Sequence, residues 1–348
     1  MPAAAYDYTL PEELIAQHPA ARRDASRLMV LADDSTLHWR FSDLPSLLSR
    51  GDCLVLNETR VIPARLRGLR AATRVELLLL HPARSLRYDP HASDWIALAR
   101  PARRLRRGDR ISFGQLGDAT VSDELDEGTR EIAFELRVPF ETFLAAAGSV
   151  PLPPYIHNDS LDAARRYQTV FARLPGSVAA PTASLHFTEE LLEAVAQRGV
   201  DIVRVALSIG LGTFRPVTAE TVEAHVMHAE AYTIEPAAAA AIERARAAGR
   251  RIVAAGTTVV RALEANVRDY GRITAGEHAT DLFIKPGFGF SVVGAMITNF
   301  HLPRSTLLML VSAFAGRERI LRAYAEAISR KYRFYSFGDA MFLSSKSR

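Results

Sequence analysis

A histidine placed just ahead of a helix is the first candidate for chemistry in this chain. His186 lies in YQTVFARLPGSVAAPTASLHFT, Tyr167 to Thr188, a stretch of aromatics, prolines and small residues that fits neither a helix face nor a strand face. Thr188 is a good N-cap, Glu189 and Glu190 place negative charge in the first turn, and Gly199 can close the helix in the left-handed region. An imidazole two residues before such a start sits near unpaired backbone donors, which favours its neutral, base-competent form. The alternative is a histidine satisfied by hydrogen bonds in a structural loop.

Four other stretches carry suitable groups. AAGTTVVRALEA, Ala254 to Ala265, reads as strand, turn and helix; the backbone donors and two hydroxyls at Gly256, Thr257 and Thr258 suit a carboxylate or phosphate, although N-capping alone would also explain them. TNFHLPRSTLLMLVSAFAG, Thr298 to Gly316, sets Asn299, His301 and Arg304 before an apolar helix. EAHVMHAEAY, Glu223 to Tyr232, offers His225, His228 and Glu230; the spacing lacks the HExxH pattern of a metal site, so acid–base work by His228 or Glu230 is the better expectation. In SIGLGTFRPV, Ser208 to Val217, Gly210 and Gly212 permit close backbone approach to a ligand, but neither this segment nor GFGFSVVG has the third glycine of a dinucleotide fingerprint.

The elements that must position these groups alternate between two grammars. The opening residues predict a short helix from about Pro11, a strand over Arg27 to Leu31, a helix within FSDLPSLL ended by Gly51, and a buried strand over Cys53 to Leu56. Between Arg65 and Leu136 come RVELLLL, DWIALAR, RISF, ATVSDEL and REIAFEL, short strands separated by Gly, Asp and Pro, which predict a small closed antiparallel sheet. An inserted all-β domain over 63–150 therefore interrupts an α/β domain formed by 1–62 and 151–348, with PLPPYIH as the return linker. Beyond it the pattern predicts strands over Asp201 to Leu207, Arg251 to Ala254 and Asp281 to Ile284. Helices are predicted over Pro236 to Ala248, Val259 to Val267, Ser305 to Ala315 and Arg317 to Lys331, with a strand-like RFYSFGDAMFL at the end.

The totals set limits. A chain of 348 residues with 48% hydrophobic content is long enough for two cores, and its single cysteine, Cys53, excludes an internal disulfide framework or a multi-cysteine metal site and suits a reducing cytoplasm. No apolar run approaches the roughly 20 residues of a membrane helix, and the first residues do not read as a secretory signal. The net charge is +4, but Arg60 to Arg110 holds thirteen arginines, no lysine and four acids. Such a cluster suits phosphate contacts, with an ordinary solvated surface as the alternative.

Taken together, RDASRLMVL, FSDLPSLL, GDCLVLNETRVIPARL, PLPPYIH, RYQTVFARLPGSVAAPTASLHFTEELL, GLGTFRPV, HVMHAEAY, AGTTVVRALEA, ITNFHLPRSTLLMLVSAFAG and YRFYSFGDAM closely resemble the S-adenosylmethionine:tRNA ribosyltransferase-isomerase family of queuosine biosynthesis, over nearly the whole chain and in order. The resemblance implies a mixed α/β barrel-like main domain with an inserted antiparallel β-barrel. It also implies a cytoplasmic, monomeric enzyme that moves the ribosyl part of S-adenosylmethionine onto the 7-aminomethyl-7-deazaguanine wobble base of tRNA, giving epoxyqueuosine with release of adenine and methionine. S-adenosylmethionine would be co-substrate; no prosthetic group or metal is implied. On this reading His186 with His228 or Glu230 does the acid–base work and His301 and Asn299 handle adenine or ribose. Gly256, Thr257, Thr258, Gly210 and Gly212 hold the co-substrate, Tyr167 or Phe214 stacks on a base, and Arg60, Arg65, Arg103 and Arg104 contact the anticodon stem-loop. The chain departs from the family at Ser208, where a histidine is usual. Two other classes stay open from sequence: a non-catalytic tRNA-binding protein of the same architecture, and a methyltransferase, which the missing early G-x-G-x-G disfavours.

Overall fold

A computed structural model describes residues 1–32, 35–158, 160–208 and 219–344. After short 3-10 turns the chain forms β1 (Arg27–Ala32), β2 (Ser35–Arg40), β3 (Cys53–Asn57) and β4 (Thr59–Val61). The two early helices expected from sequence are 3-10 segments, Glu12–Leu14 and Phe41–Leu47. Proline explains the second: Pro45 lies inside it, where it supplies no N–H for an α-helical bond.

The next elements are β5 (Arg65–Arg70), β6 (Thr73–Pro82), β7 (Asp94–Arg100), β8 (Arg110–Ser112), β9 (Gly117–Glu124), β10 (Thr129–Leu136), α1 (Phe140–Ala147) and β11 (Gly148–Ser149). β5, β6, β7, β10, β9 and β8 pair antiparallel in that order, and Leu69 opposite Ser112 joins the ends into a six-strand ring. Residues of alternate positions fill it: Val75, Leu77 and Leu79 of β6 point inward, as do Trp95, Ala97 and Ala99 of β7. The segment was expected to be all β, but α1 breaks that pattern. Its Phe140 stacks on Trp95 with ring centroids 5.0 Å apart, and Phe143 and Leu144 join the same core.

The rest of the chain supplies α2 (Leu161–Arg166), β12 (Leu174–Ser177), α3 (Glu189–Gln197), β13 (Asp201–Leu207), β14 (Glu230–Ile234), α4 (Pro236–Ala247) and β15 (Ile252–Ala255). There follow α5 (Thr257–Tyr270), β16 (Gly276–Thr280), β17 (Val293–Asn299), α6 (Thr306–Ala315), α7 (Arg317–Ser329) and β18 (Ala340–Ser344). Nine strands form one mixed sheet in the order β16-β14-β13-β3-β15-β17-β18-β1-β2. β13, β3, β15 and β17 are mutually parallel, and the two central ones are wholly buried, as a sheet covered on both faces requires. Ile252 and Ala254 face a cluster built from α4, α5 and α6, whereas Val253 and Ala255 face Phe41, Phe187 and Leu191.

Seven strands escaped the sequence reading, the short or edge strands β2, β4, β5, β11 and β12 together with β14 and β17, and one was misplaced. β14 and β17 run through segments read for their polar groups and glycines. The strand expected over Asp281 to Ile284 is absent; β16 ends at Thr280, and the Arg261 side chain takes the Leu282 carbonyl through Nε at 3.0 Å and the Thr280 carbonyl at 3.5 Å. Those carbonyls pair with a side chain instead of a neighbouring strand.

The approach to β17 hangs on one carboxylate. Glu264 of α5, 1% exposed, accepts from the N–H groups of Ser291, Val292 and Val293 and from the Ser291 hydroxyl, all within 2.9–3.0 Å. Glu264→Ala is expected to destabilise the fold by about 3 kcal/mol, because the buried N–H groups of Val292 and Val293 lose their acceptor; Glu264→Gln should cost less. Denaturant titration of both variants checks the order.

Candidate active site

The candidate site is a cleft of about 620 Å³ at the carboxyl ends of β15 and β17, the place where open α/β sheets receive ligands. β15 gives way at Gly256, whose φ of +107° suits only glycine, and α5 starts at the next residue. No side chain caps α5 and no acid lies in its first turn, so its leading N–H groups and positive end face the cleft unneutralised. Thr257 and Thr258 line the same wall.

β17 contributes the opposite wall through Thr298 and Asn299, followed by Phe300 and His301. The His301 ring bonds Thr298 Oγ1 through Nε2 at 2.7 Å, while the backbone N–H of His301 donates to the Tyr324 hydroxyl at 2.9 Å and its backbone carbonyl accepts from the Tyr8 hydroxyl. No protein partner of His301 Nδ1 occurs among the described residues. The roof comes from Ala180 to Ala183 and from Tyr155, Tyr335 and Ser336, with the Tyr155 hydroxyl 2.7 Å from Ser336 Oγ. No Asp, Glu, Lys or Arg is among the described lining residues.

His186 does not reach the cleft. Its ring is stacked on Phe41 with centroids 4.9 Å apart and lies behind Asn299, with Nδ1 2.7 Å from Ser26 Oγ and Nε2 3.3 Å from Asn299 Nδ2. Burial pushes its pKa down to about 4, and burial alone takes His301 to about 3, so both imidazoles are neutral at physiological pH. Burial raises the hydroxyls of Tyr155 and Tyr335 above the usual phenol range, keeping them protonated.

The structure thus brings together Gly256, Thr257, Thr258, Asn299 and His301 and corrects other expectations. His228 is exposed on the segment before β14, and Glu230 is bound to Arg261 at 2.5 Å; neither lines the cleft. Tyr167 cannot stack on a base, because its ring is wholly buried edge-on against Phe337, with centroids 5.9 Å apart. Gly210, Gly212 and Phe214 lie outside the described residues. Arg60, Arg103 and Arg104 are exposed away from the cleft, while Arg65 donates to the Leu152 carbonyl at 3.1 Å. Sequence reading missed Tyr155 and Tyr335, which sit in segments taken for a linker and a strand.

Known proteins resemble this chain over nearly its whole length. The family model described as queuosine biosynthesis protein matches residues 3–343. The chain belongs to that family. The queuosine biosynthesis relatives include the S-adenosylmethionine:tRNA ribosyltransferase-isomerase of Symbiobacterium thermophilum, 52% identical over 97% of this chain and 98% of that protein. The protein of the same name from Desulforamulus reducens is 48% identical over the same shares. A crystal structure of S-adenosylmethionine tRNA ribosyltransferase from Thermotoga maritima, 36% identical, superposes with a TM-score of 0.55 over 97% of this chain and 99% of that one. Among the described residues no three His, Cys, Asp or Glu side chains cluster as a metal would need, and no helix is long and apolar enough to cross a membrane.

The buried imidazoles make stability pH-dependent. The unfolded chain binds these protons near pH 6.5, but the folded chain binds them only near 4 and 3, so stability falls as pH drops below about 6.5. Each group contributes roughly 1.4 kcal/mol per pH unit within its window. Melting curves between pH 7 and 5 should show this decline, and His301→Asn should flatten it.

Proposed function

We propose that the protein transfers and isomerises the ribosyl moiety of S-adenosylmethionine onto the 7-aminomethyl-7-deazaguanine wobble base of tRNA, forming epoxyqueuosine and releasing adenine and methionine. The observation that carries this reading is a cleft without a charged side chain among its described lining residues, joining an uncapped helix start to aromatic walls. The co-substrate bears a carboxylate and a sulfonium. The α5 N–H groups and the Thr257 and Thr258 hydroxyls suit the carboxylate, and the faces of Tyr155 and Tyr335 suit a cation.

The chemistry starts with a proton. A sulfonium acidifies the adjacent C5′–H, and His301, neutral and lining the cleft, is the group proposed to accept that proton as adenine departs. The carbanion left at C5′ breaks the C4′–O4′ bond, and O4′ becomes a C1′ carbonyl as the C1′–N bond to adenine breaks. The tRNA amine adds to C4′, its proton passing to adenine, and C5′ bonds to C1′ to close the carbocycle. The C1′ alkoxide then displaces methionine from C5′ to give the epoxide.

The exposed Arg60, Arg103 and Arg104, with Arg65, are the proposed contacts to the anticodon stem-loop, the last three set on or beside the barrel. The reading takes the enzyme as monomeric and cytoplasmic.

Incubation with S-adenosylmethionine and tRNA carrying the aminomethyl base should release adenine and methionine, with no S-adenosylhomocysteine. His301→Ala should lower kcat about 10²-fold or more. Arg103→Ala and Arg104→Ala should instead raise KM for tRNA and each reduce the log–log salt slope by about 1. Retained turnover in His301→Ala removes that residue from the mechanism.

A further inference from the structure

We propose that Asn299 Oδ1 is the cleft's acceptor for a nitrogen-bound hydrogen of the co-substrate, and that His186 is the positioning residue that fixes this amide rather than the base of the reaction. The inference rests on the reading of S-adenosylmethionine as ligand and assigns part of its recognition.

The amide's orientation follows from its partners. Asn299 is 3% exposed, and its Nδ2 donates to the Tyr335 carbonyl at 3.1 Å and to His186 Nε2 at 3.3 Å. A carbonyl can only accept, so the nitrogen must lie on that side, and both of its hydrogens are then used. His186 Nε2 is therefore an acceptor, and the ring carries its proton on Nδ1, which donates to Ser26 Oγ at 2.7 Å. The Ser26 hydroxyl in turn donates to the Arg23 carbonyl at 3.3 Å. Every bond in the series from Asn299 to Arg23 points the same way, which makes His186 a proton-bearing brace whose only acceptor nitrogen is occupied.

What remains is Asn299 Oδ1. It is buried and makes no hydrogen bond among the described residues, on a side chain that lines the cleft. Buried acceptors are almost always paired, so an orphan in a ligand cleft marks where a donor belongs. The backbone supports the same assignment. Tyr335 holds φ at +69°, an uncommon conformation for a bulky residue, while its carbonyl receives the Asn299 amide. The cleft is thus complementary from end to end, with donors at the start of α5 and an acceptor at the end of β17. S-adenosylmethionine carries two matching donors, the purine 6-amino group and the α-ammonium group.

The test compares His186→Gln, His186→Phe and Asn299→Leu with wild type for S-adenosylmethionine binding and adenine release. His186→Gln keeps an amide oxygen that can accept from Asn299, and its kcat should stay within a few-fold of wild type. His186→Phe and Asn299→Leu should each raise KM for S-adenosylmethionine roughly tenfold, the penalty of an unpaired or misdirected buried group. Two analogues name the donor: S-inosylmethionine lacks the 6-amino group, and the desamino analogue lacks the α-ammonium. Wild type should disfavour one of them about tenfold, and Asn299→Leu should lose that preference. Loss of kcat by 10²-fold in both His186 variants with KM unchanged would make His186 a base and overturn the proposal. So would equal analogue discrimination in wild type and Asn299→Leu, a comparison that does not depend on any His186 variant folding. Failure of wild type to bind S-adenosylmethionine overturns the functional reading itself; binding with adenine release but neither pattern overturns this inference alone.

Discussion

Parallel pairing of β15 with β17 is the constraint on which the cleft depends. Ala255 lies opposite Ile297, and the Gly256 N–H extends the ladder to the Ile297 carbonyl at 2.8 Å. That last bond places the first turn of α5 beside Thr298 and Asn299, so a helix terminus and a strand terminus form facing walls. The register cannot slide by one residue without turning Val253 and Ala255 out of one core and into the other. Val259, Val260 and Leu263 bury one face of α5 in the same cluster as Met296, which also fixes the helix in rotation.

Around this junction the described residues leave the cleft lining without charge and pair their charges elsewhere. Glu230 meets Arg261, Asp52 meets Arg251 at 2.5 Å, and Glu58 meets Arg173 at 2.6 Å. The first ties β14 to α5, the second the starts of β3 and β15, and the third the approaches to β4 and β12, and none lines the cleft. Inside it, desolvation alone holds His301 neutral. A ligand with internal charges then meets backbone dipoles and ring faces, which need no counter-ion of their own to be stable when the site is empty of substrate.

Much of this was legible from residue types. Thr188 caps α3 with its hydroxyl as expected, accepting from Leu191 N at 3.1 Å, and the strand, Gly256 and helix succession occurs where the pattern put it. Periodicity found five of the six barrel strands because alternate burial is a local signal, and missed β5, where Gly68 and three arginines weaken the apolar alternation. The misreadings have a common physical origin. His186 looks catalytic by its distance from a helix start, but burial depends on Phe41 and Ser26, about 150 residues earlier in the chain. Tyr335 joins the cleft through a left-handed backbone that no propensity of tyrosine suggests. His228 and Glu230 were chosen for chemistry, yet Glu230 begins a strand and its partner Arg261 comes from another element.

The six-strand ring has a further meaning through its ends. Gly148 lies opposite Leu66 and Ser149 opposite Arg65, so the polypeptide leaves the ring alongside the strand by which it arrived. Two adjacent covalent connections, rather than a long shared seam in sequence, join this module to the nine-strand sheet. Such a layout lets the ring change its loop lengths and surface charge while the register of β15 with β17 stays as it is.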